Sequence, residues 1–110
     1  LPVPPIQKMR SAGMIMALGT DFCPNAFCYS MRLTMHLACV NYRLTPQESL
    51  VAGTLNAAYA LKRSDRVGSI ETGKQADLLL FDQPAWQYIM YSFGETRPQQ
   101  VIKAGRPLPS

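Results

Sequence analysis

Residues 14–18, Met-Ile-Met-Ala-Leu, form an unbroken apolar run between Gly13 and Gly19, followed at once by Thr20 and Asp21. A run this short without alternation predicts a strand covered on both faces, the pattern of a parallel sheet. What precedes it agrees. Pro2, Pro4 and Pro5 hold the first residues extended, and Pro5 can open a helix. Residues 6–12 then suit a short helix with Lys8 and Arg10 outward and Gly13 as its stop. Helix, glycine and apolar strand in succession predict an α/β protein.

Downstream the elements alternate in texture. Residues 29–42 fit two patterns: Met31, Leu33, Met35 and Leu37 alternate as in a strand, while Met31, Met35, Ala38 and Tyr42 line one helical face. Length and the Met, Leu and Ala content predict a helix. Thr45, Pro46 and Glu48 stand as N-cap, N1 and N3 of a capping box. The helix they open runs to Lys62 and places Leu50, Val51, Thr54, Leu55, Ala58 and Leu61 on one face. From Val67 the chain is punctuated by glycine. Residues 77–81 and 100–103 read as strands, the second bending at Gly105, and 86–93 as a short helix or irregular segment. The division expected is 1–66 and 67–110, the second part a small β layer.

Charged residues make up 16% of the 110, against the roughly 25% usual in soluble domains, so more chain or a second subunit is expected to cover part of the surface. The net charge of +4 is scattered. Its densest stretch, residues 62–66, holds an acid and no aromatic residue, which excludes a nucleic-acid interface. No apolar run approaches the ~18 residues of a membrane span, and no partner membrane is expected. Cys23, Cys28 and Cys39 make an odd set without CxxC spacing, which predicts reduced thiols, no zinc knot and a cytoplasmic home.

Chemistry in parallel α/β sheets gathers at the carboxyl ends of the strands, and Asp21 lies three residues past Leu18. A carboxylate there can ligate a divalent metal or accept a proton; the competing role is to cap backbone amides. His36 reads as a packed helix histidine, Cys28 and Cys39 as small buried apolar groups, and Met14, Met16, Met31 and Met35 as core. Gly68, Gly73 and Lys74 match GxxxxGK without the Ser/Thr of a P-loop, and predict a tight hairpin.

Four stretches, "ALGTDF", "TPQESLVAGTLNAAYAL", "GSIETGKQADLLLFD" and "VIKAGR", together resemble the C-terminal part of the amidohydrolase superfamily. Within it, "ALGTDFCPN" and "FCYSM" joined to "MHLACVNYRLTPQESL" resemble the imidazolonepropionase family. The resemblance implies a metal-dependent (β/α)8 TIM barrel followed by strands of a small β-sandwich. Residues 14–18 would be the last barrel strand, the helices within 1–66 part of the outer ring, and 67–110 the sandwich strands. It implies Asp21 as metal ligand and catalytic carboxylate, with Cys23, Asn25 and Ala26 in the substrate-binding loop. The cofactor implied is a divalent metal, zinc or iron, whose remaining ligands lie upstream of this chain. The partner implied is a small-molecule substrate, 4-imidazolone-5-propanoate, hydrolysed at its ring amide to N-formimidoyl-L-glutamate. A homodimer stays open for the full-length parent.

Two features depart from that family. Cys23 stands where its members commonly carry Asn, which removes an amide donor and a strong acceptor. Asn25 and Ala26 stand where many carry Gly and a hydroxyl residue, so contacts there are expected mainly from backbone. A barrel takes about 250 residues, so the chain is expected to be a fragment. Other amidohydrolases of cyclic amides or amidines, and a non-catalytic remnant, are the alternatives.

Overall fold

The structure is a computed structural model, and it describes residues 2–109. Among these residues five helices and three strands follow one another: α1 (Ile6–Ser11), α2 (Met31–Tyr42), α3 (Pro46–Gly53), α4 (Leu55–Ala60), β1 (Leu78–Leu80), α5 (Tyr88–Tyr91), β2 (Gln100–Lys103) and β3 (Arg106–Pro107). None of the helices is long and apolar enough to cross a membrane.

α2 begins where the Ser30 hydroxyl accepts the Leu33 N–H, and ends at Arg43 in the left-handed region (φ 57°). α3 opens on the expected box: Thr45 Oγ1 accepts the Glu48 N–H at 3.2 Å, and Glu48 Oε2 accepts the Thr45 N–H at 2.8 Å. The two helices close tightly because small residues line the seam. Ser49 is fully buried and donates to the Met35 carbonyl at 2.9 Å. Gly53 leaves the space that the Met35 and Met31 side chains occupy; a Cβ there would lie 3.1 Å from Met35 Sδ and 3.2 Å from Met31 Cε. Met35, Ala38, Leu44, Ala52, Ala58 and Met90 form the apolar core.

The helix expected to run unbroken to Lys62 divides at Thr54 (φ −123°, ψ −88°). The Leu18 N–H donates to the Ala52 carbonyl at 2.9 Å, the acceptor that a continuous helix offers to Asn56, and Thr54 Oγ1 bonds back to the Leu50 carbonyl at 2.7 Å. Both contacts interrupt the ladder. The predicted single apolar face is broken with it, since Ala58 is buried while Val51 and Leu61 are exposed.

Residues 14–18 are not a strand. A strand buried on both faces needs neighbours on both edges, and none lies beside it among the described residues. Its polar backbone bonds instead to α1 and to the α3–α4 junction, through Met14 N–H to the Met9 carbonyl at 3.0 Å and Asn56 Nδ2 to the Met16 carbonyl at 2.8 Å. Met14 (54% exposed) and Ile15 (66%) face outward, and Met16 and Met31 are half-buried, so Met35 is the member of the expected methionine core that is buried.

The sheet is antiparallel, in the order β1-β2-β3, with Leu79 opposite Val101 and Lys103 opposite Arg106. β2 and β3 join through Ala104 and Gly105, both at positive φ as a two-residue type I′ turn requires. Asp77 holds that turn: its carboxylate accepts the Ala104 N–H at 2.9 Å and pairs with Lys103 Nζ at 2.6 Å. No hairpin forms over Gly68–Lys74. That stretch is a loop with one turn, Lys74 N–H to the Glu71 carbonyl, closed at its base by Gln75 N–H to the Arg66 carbonyl at 2.8 Å. Gly68 (φ 99°) lies so close to α4 that a Cβ would stand 2.7 Å from that of Ala58.

Candidate active-site loop

Residues 19–30 lead from the apolar run into α2. Asp21 is exposed and adopts φ 52°, a conformation that Asp tolerates better than most residues. Its carboxylate has no hydrogen bond or ion pair among the described residues, and the N-cap of the next helix is Ser30. Asp21 therefore does not fill the capping role that the sequence left open to it.

Beyond Asp21 the loop folds back on itself. Cys23 N–H donates to the Ala26 carbonyl at 3.2 Å and Ala26 N–H to the Cys23 carbonyl at 3.0 Å, with Pro24 and Asn25 at the tip. The Ala26 carbonyl also accepts the Cys28 N–H at 2.9 Å. Ala26 thus spends its backbone groups inside the turn, against the expectation that it would present them to a ligand. The Asn25 amide and the half-buried Cys23 thiol are what the tip offers. Cys28 and Cys39 are half-buried rather than buried, and all three thiols are free.

Three aromatic rings flank the turn. Phe22 and Tyr29 stack with centroids 4.5 Å apart and planes at 26°, and Phe27 meets Phe22 edge-on at 5.5 Å. All three are exposed.

Catalytic zinc sites hold the ion with three protein ligands. Among the described residues no three His, Cys, Asp or Glu side chains converge. The one histidine, His36, lies on α2 with its ring 4.4 Å from that of Phe93. The residues present here do not by themselves fit a metal centre; Asp21 offers a single oxygen donor group.

Three grooves lie elsewhere among the described residues. One of about 480 Å³ runs behind residues 14–16 and has Arg10 and Glu48 on its polar wall. Arg10 Nε and NH2 grip the two carboxylate oxygens of Glu48 at 2.7 and 2.8 Å. The Arg10 hydrogen bonds first, and the Thr45 N–H second, pull the Glu48 carboxyl down to about 2. Others, of about 610 and 530 Å³, lie between α2 and β1 and between α2 and α5. None is lined by Asp21, Cys23, Asn25 or Ala26. Sequence reasoning missed the Arg10–Glu48 pair, the Asn56 clamp on Met16 and the exposed rings. The first two join residues some forty positions apart, which no local pattern signals; the rings were visible as three aromatics in eight residues.

Residues 3–108 match the model of the Amidohydrolase family. A Bos taurus protein named "Probable imidazolonepropionase" is 53% identical over 91 residues, 83% of this chain and 21% of its own. An imidazolonepropionase of Pyrobaculum arsenaticum is 44% identical over 105 residues, 96% of this chain and 26% of its own. The solved structure of an amidohydrolase from Thermotoga maritima MSB8 superposes with a TM-score of 0.74 at 27% identity, over 94% of this chain and 25% of that one. The chain thus spans a fifth to a quarter of the length of these relatives. Matched along nearly its whole length by the family model, with the exposed carboxylate loop inside the match, the chain belongs to the Amidohydrolase family.

Proposed function

We propose that the longer protein to which these residues belong hydrolyses the ring amide of 4-imidazolone-5-propanoate to N-formimidoyl-L-glutamate. The observation that carries this reading is the similarity to imidazolonepropionases at 44–53% identity over most of the chain. Residues 1–66 would supply the last strand and outer helices of a (β/α)8 barrel, and 67–110 strands of a small β-sandwich. In that setting residues 14–18 gain the neighbours they lack here, and their outward Met14 and Ile15 gain cover.

Asp21 is the residue of this chain assigned to the reaction centre. Its carboxylate, unpaired and displayed at a left-handed backbone position, is free to act as one anionic ligand of a divalent ion, zinc or iron, and as a proton acceptor. Asn25 supplies amide hydrogen bonds to substrate from the tip, and Cys23 supplies shape and a weak donor. The substrate is a small molecule, and the setting proposed is the cytoplasm.

The test is the full-length protein, purified with its metal content measured, incubated with 4-imidazolone-5-propanoate. Loss of substrate with stoichiometric N-formimidoyl-L-glutamate is the expected result. A folded, metal-replete protein that leaves the substrate intact overturns the proposal.

A further inference from the structure

Among the described residues the rings beside Asp21 pack on one another and stand largely in solvent. Phe22, Phe27 and Tyr29 lie within eight residues of one another, and their exposures rise from 46% to 74% and 79%. Exposed apolar area is costly in water, and a contiguous patch of it marks a surface that meets something. This patch has a definite form. Phe22 is held between its neighbours, one face against Tyr29 and an edge against Phe27. Tyr29 is the outer member, and its high exposure leaves the side turned away from Phe22 open. The base of the platform is anchored by the Cys23–Ala26 pairing at one end and by the Ser30 cap at the other. Asp21 immediately precedes Phe22 in the chain.

Such a platform suits one chemistry. Aromatic faces recognise other flat π systems by offset stacking, whatever their hydrogen-bonding edge. We infer that Tyr29 is a substrate-contacting residue whose open face stacks on a planar five-membered heterocycle held at Asp21. The inference rests on the proposed function and deepens it: Asp21 and Asn25 set the position of the ring's polar edge, and Tyr29, backed by Phe22 and Phe27, sets its plane. A saturated ring lacks the flat π face and gains less.

Two measurements on the full-length protein separate the inference from the reading beneath it. Binding of imidazole-4-propanoate, which keeps a flat ring and the propanoate arm but lacks the scissile carbonyl, is measured by calorimetry. Turnover of 4-imidazolone-5-propanoate is measured alongside. Failure of the wild-type protein in both assays removes the functional reading, and this inference with it. With wild-type activity in hand, Tyr29→Leu is expected to weaken binding and raise KM about three- to tenfold while kcat and metal content hold, and Tyr29→Phe to rescue both. Wild-type binding and KM in Tyr29→Leu overturn the stacking role. So does a fall in thermal stability with KM unmoved, which would make the rings packing for another part of the protein. If Tyr29→Leu does not fold, Tyr29→Trp decides: a larger ring keeps or tightens binding, and weaker binding overturns the inference.

Discussion

Asp21, proposed above as the metal ligand, can be told from a purely structural aspartate by experiment. As a metal ligand it loses charge and basicity in Asp21→Asn. Bound metal per protein should then fall and kcat drop by at least about a hundredfold in the full-length enzyme. An aspartate without a ligand role would tolerate the change, since Asn also suits a left-handed backbone position. Unaltered metal content and activity in Asp21→Asn would reject the ligand role. Cys23→Asn is the companion variant: it restores the family's commoner amide, and should leave metal content alone while KM stays level or falls. That Asp21 follows the apolar run in a loop was legible, although the run is not the strand expected of it. Its isolation was not legible. That depends on Ser30 taking the cap and on Ala26 turning inward onto Cys23, contacts made through backbone atoms that the side-chain pattern does not report.

At the level of elements, α1, α2 and β2 form where the pattern placed them, while the single helix to Lys62 and the strand over residues 14–18 do not. The Thr45–Glu48 box forms as its spacing demands, and β2 occupies the residues that the pattern assigned to it. What the box does besides capping is invisible in its four letters. Glu48 also receives Arg10 across 38 positions and so ties α1 to the start of α3. Its carboxyl is drawn from 4.5 to about 2 in the folded state, so the tie stabilises fully above pH 4.5 and is lost as pH falls toward 2. In the full-length protein Glu48→Gln should accordingly melt lower than wild type near neutrality, and the gap in Tm should close over that acid window. A gap independent of pH would show that the ion pair contributes nothing. The unbroken helix failed because the Leu18 N–H takes the Ala52 carbonyl, a contact between distant segments that no local pattern reports. Gly68 marks a similar long-range contact. Gly68→Ala meets both a positive φ and the Ala58 methyl, and should cost about 2–4 kcal/mol in denaturant titration. A loss under about 0.5 kcal/mol would mean that the loop moves off α4 at little cost.

The molecule as a whole exposes 8334 Å², where a compact protein of 12.2 kDa exposes about 6,100 Å². Its radius of gyration is 14.7 Å against about 13 Å for 110 residues packed as one domain. The low charge content pointed the same way, since surface that meets more protein needs few charges. The buried apolar set is small and rich in alanine, while Ile15, Val40, Tyr59, Leu61 and Ile70 stand in solvent. Purified alone, the 110-residue chain should show helical far-ultraviolet dichroism, bind hydrophobic dyes and unfold without a sharp transition. It should not turn over 4-imidazolone-5-propanoate, since one carboxylate cannot hold a catalytic ion. A monodisperse monomer with a cooperative thermal transition would contradict the first expectation, and turnover above background the second.

The gap at Gly53 sets how this helical seam ages. The two thioethers that fill it differ in access, Met35 sealed at 5% exposure and Met31 half-open beside it. Peroxide converts a thioether to a bulkier, polar sulfoxide, and it reaches the open one first. Met31 is therefore expected to oxidise before Met35, where a sulfoxide oxygen has neither room nor a partner.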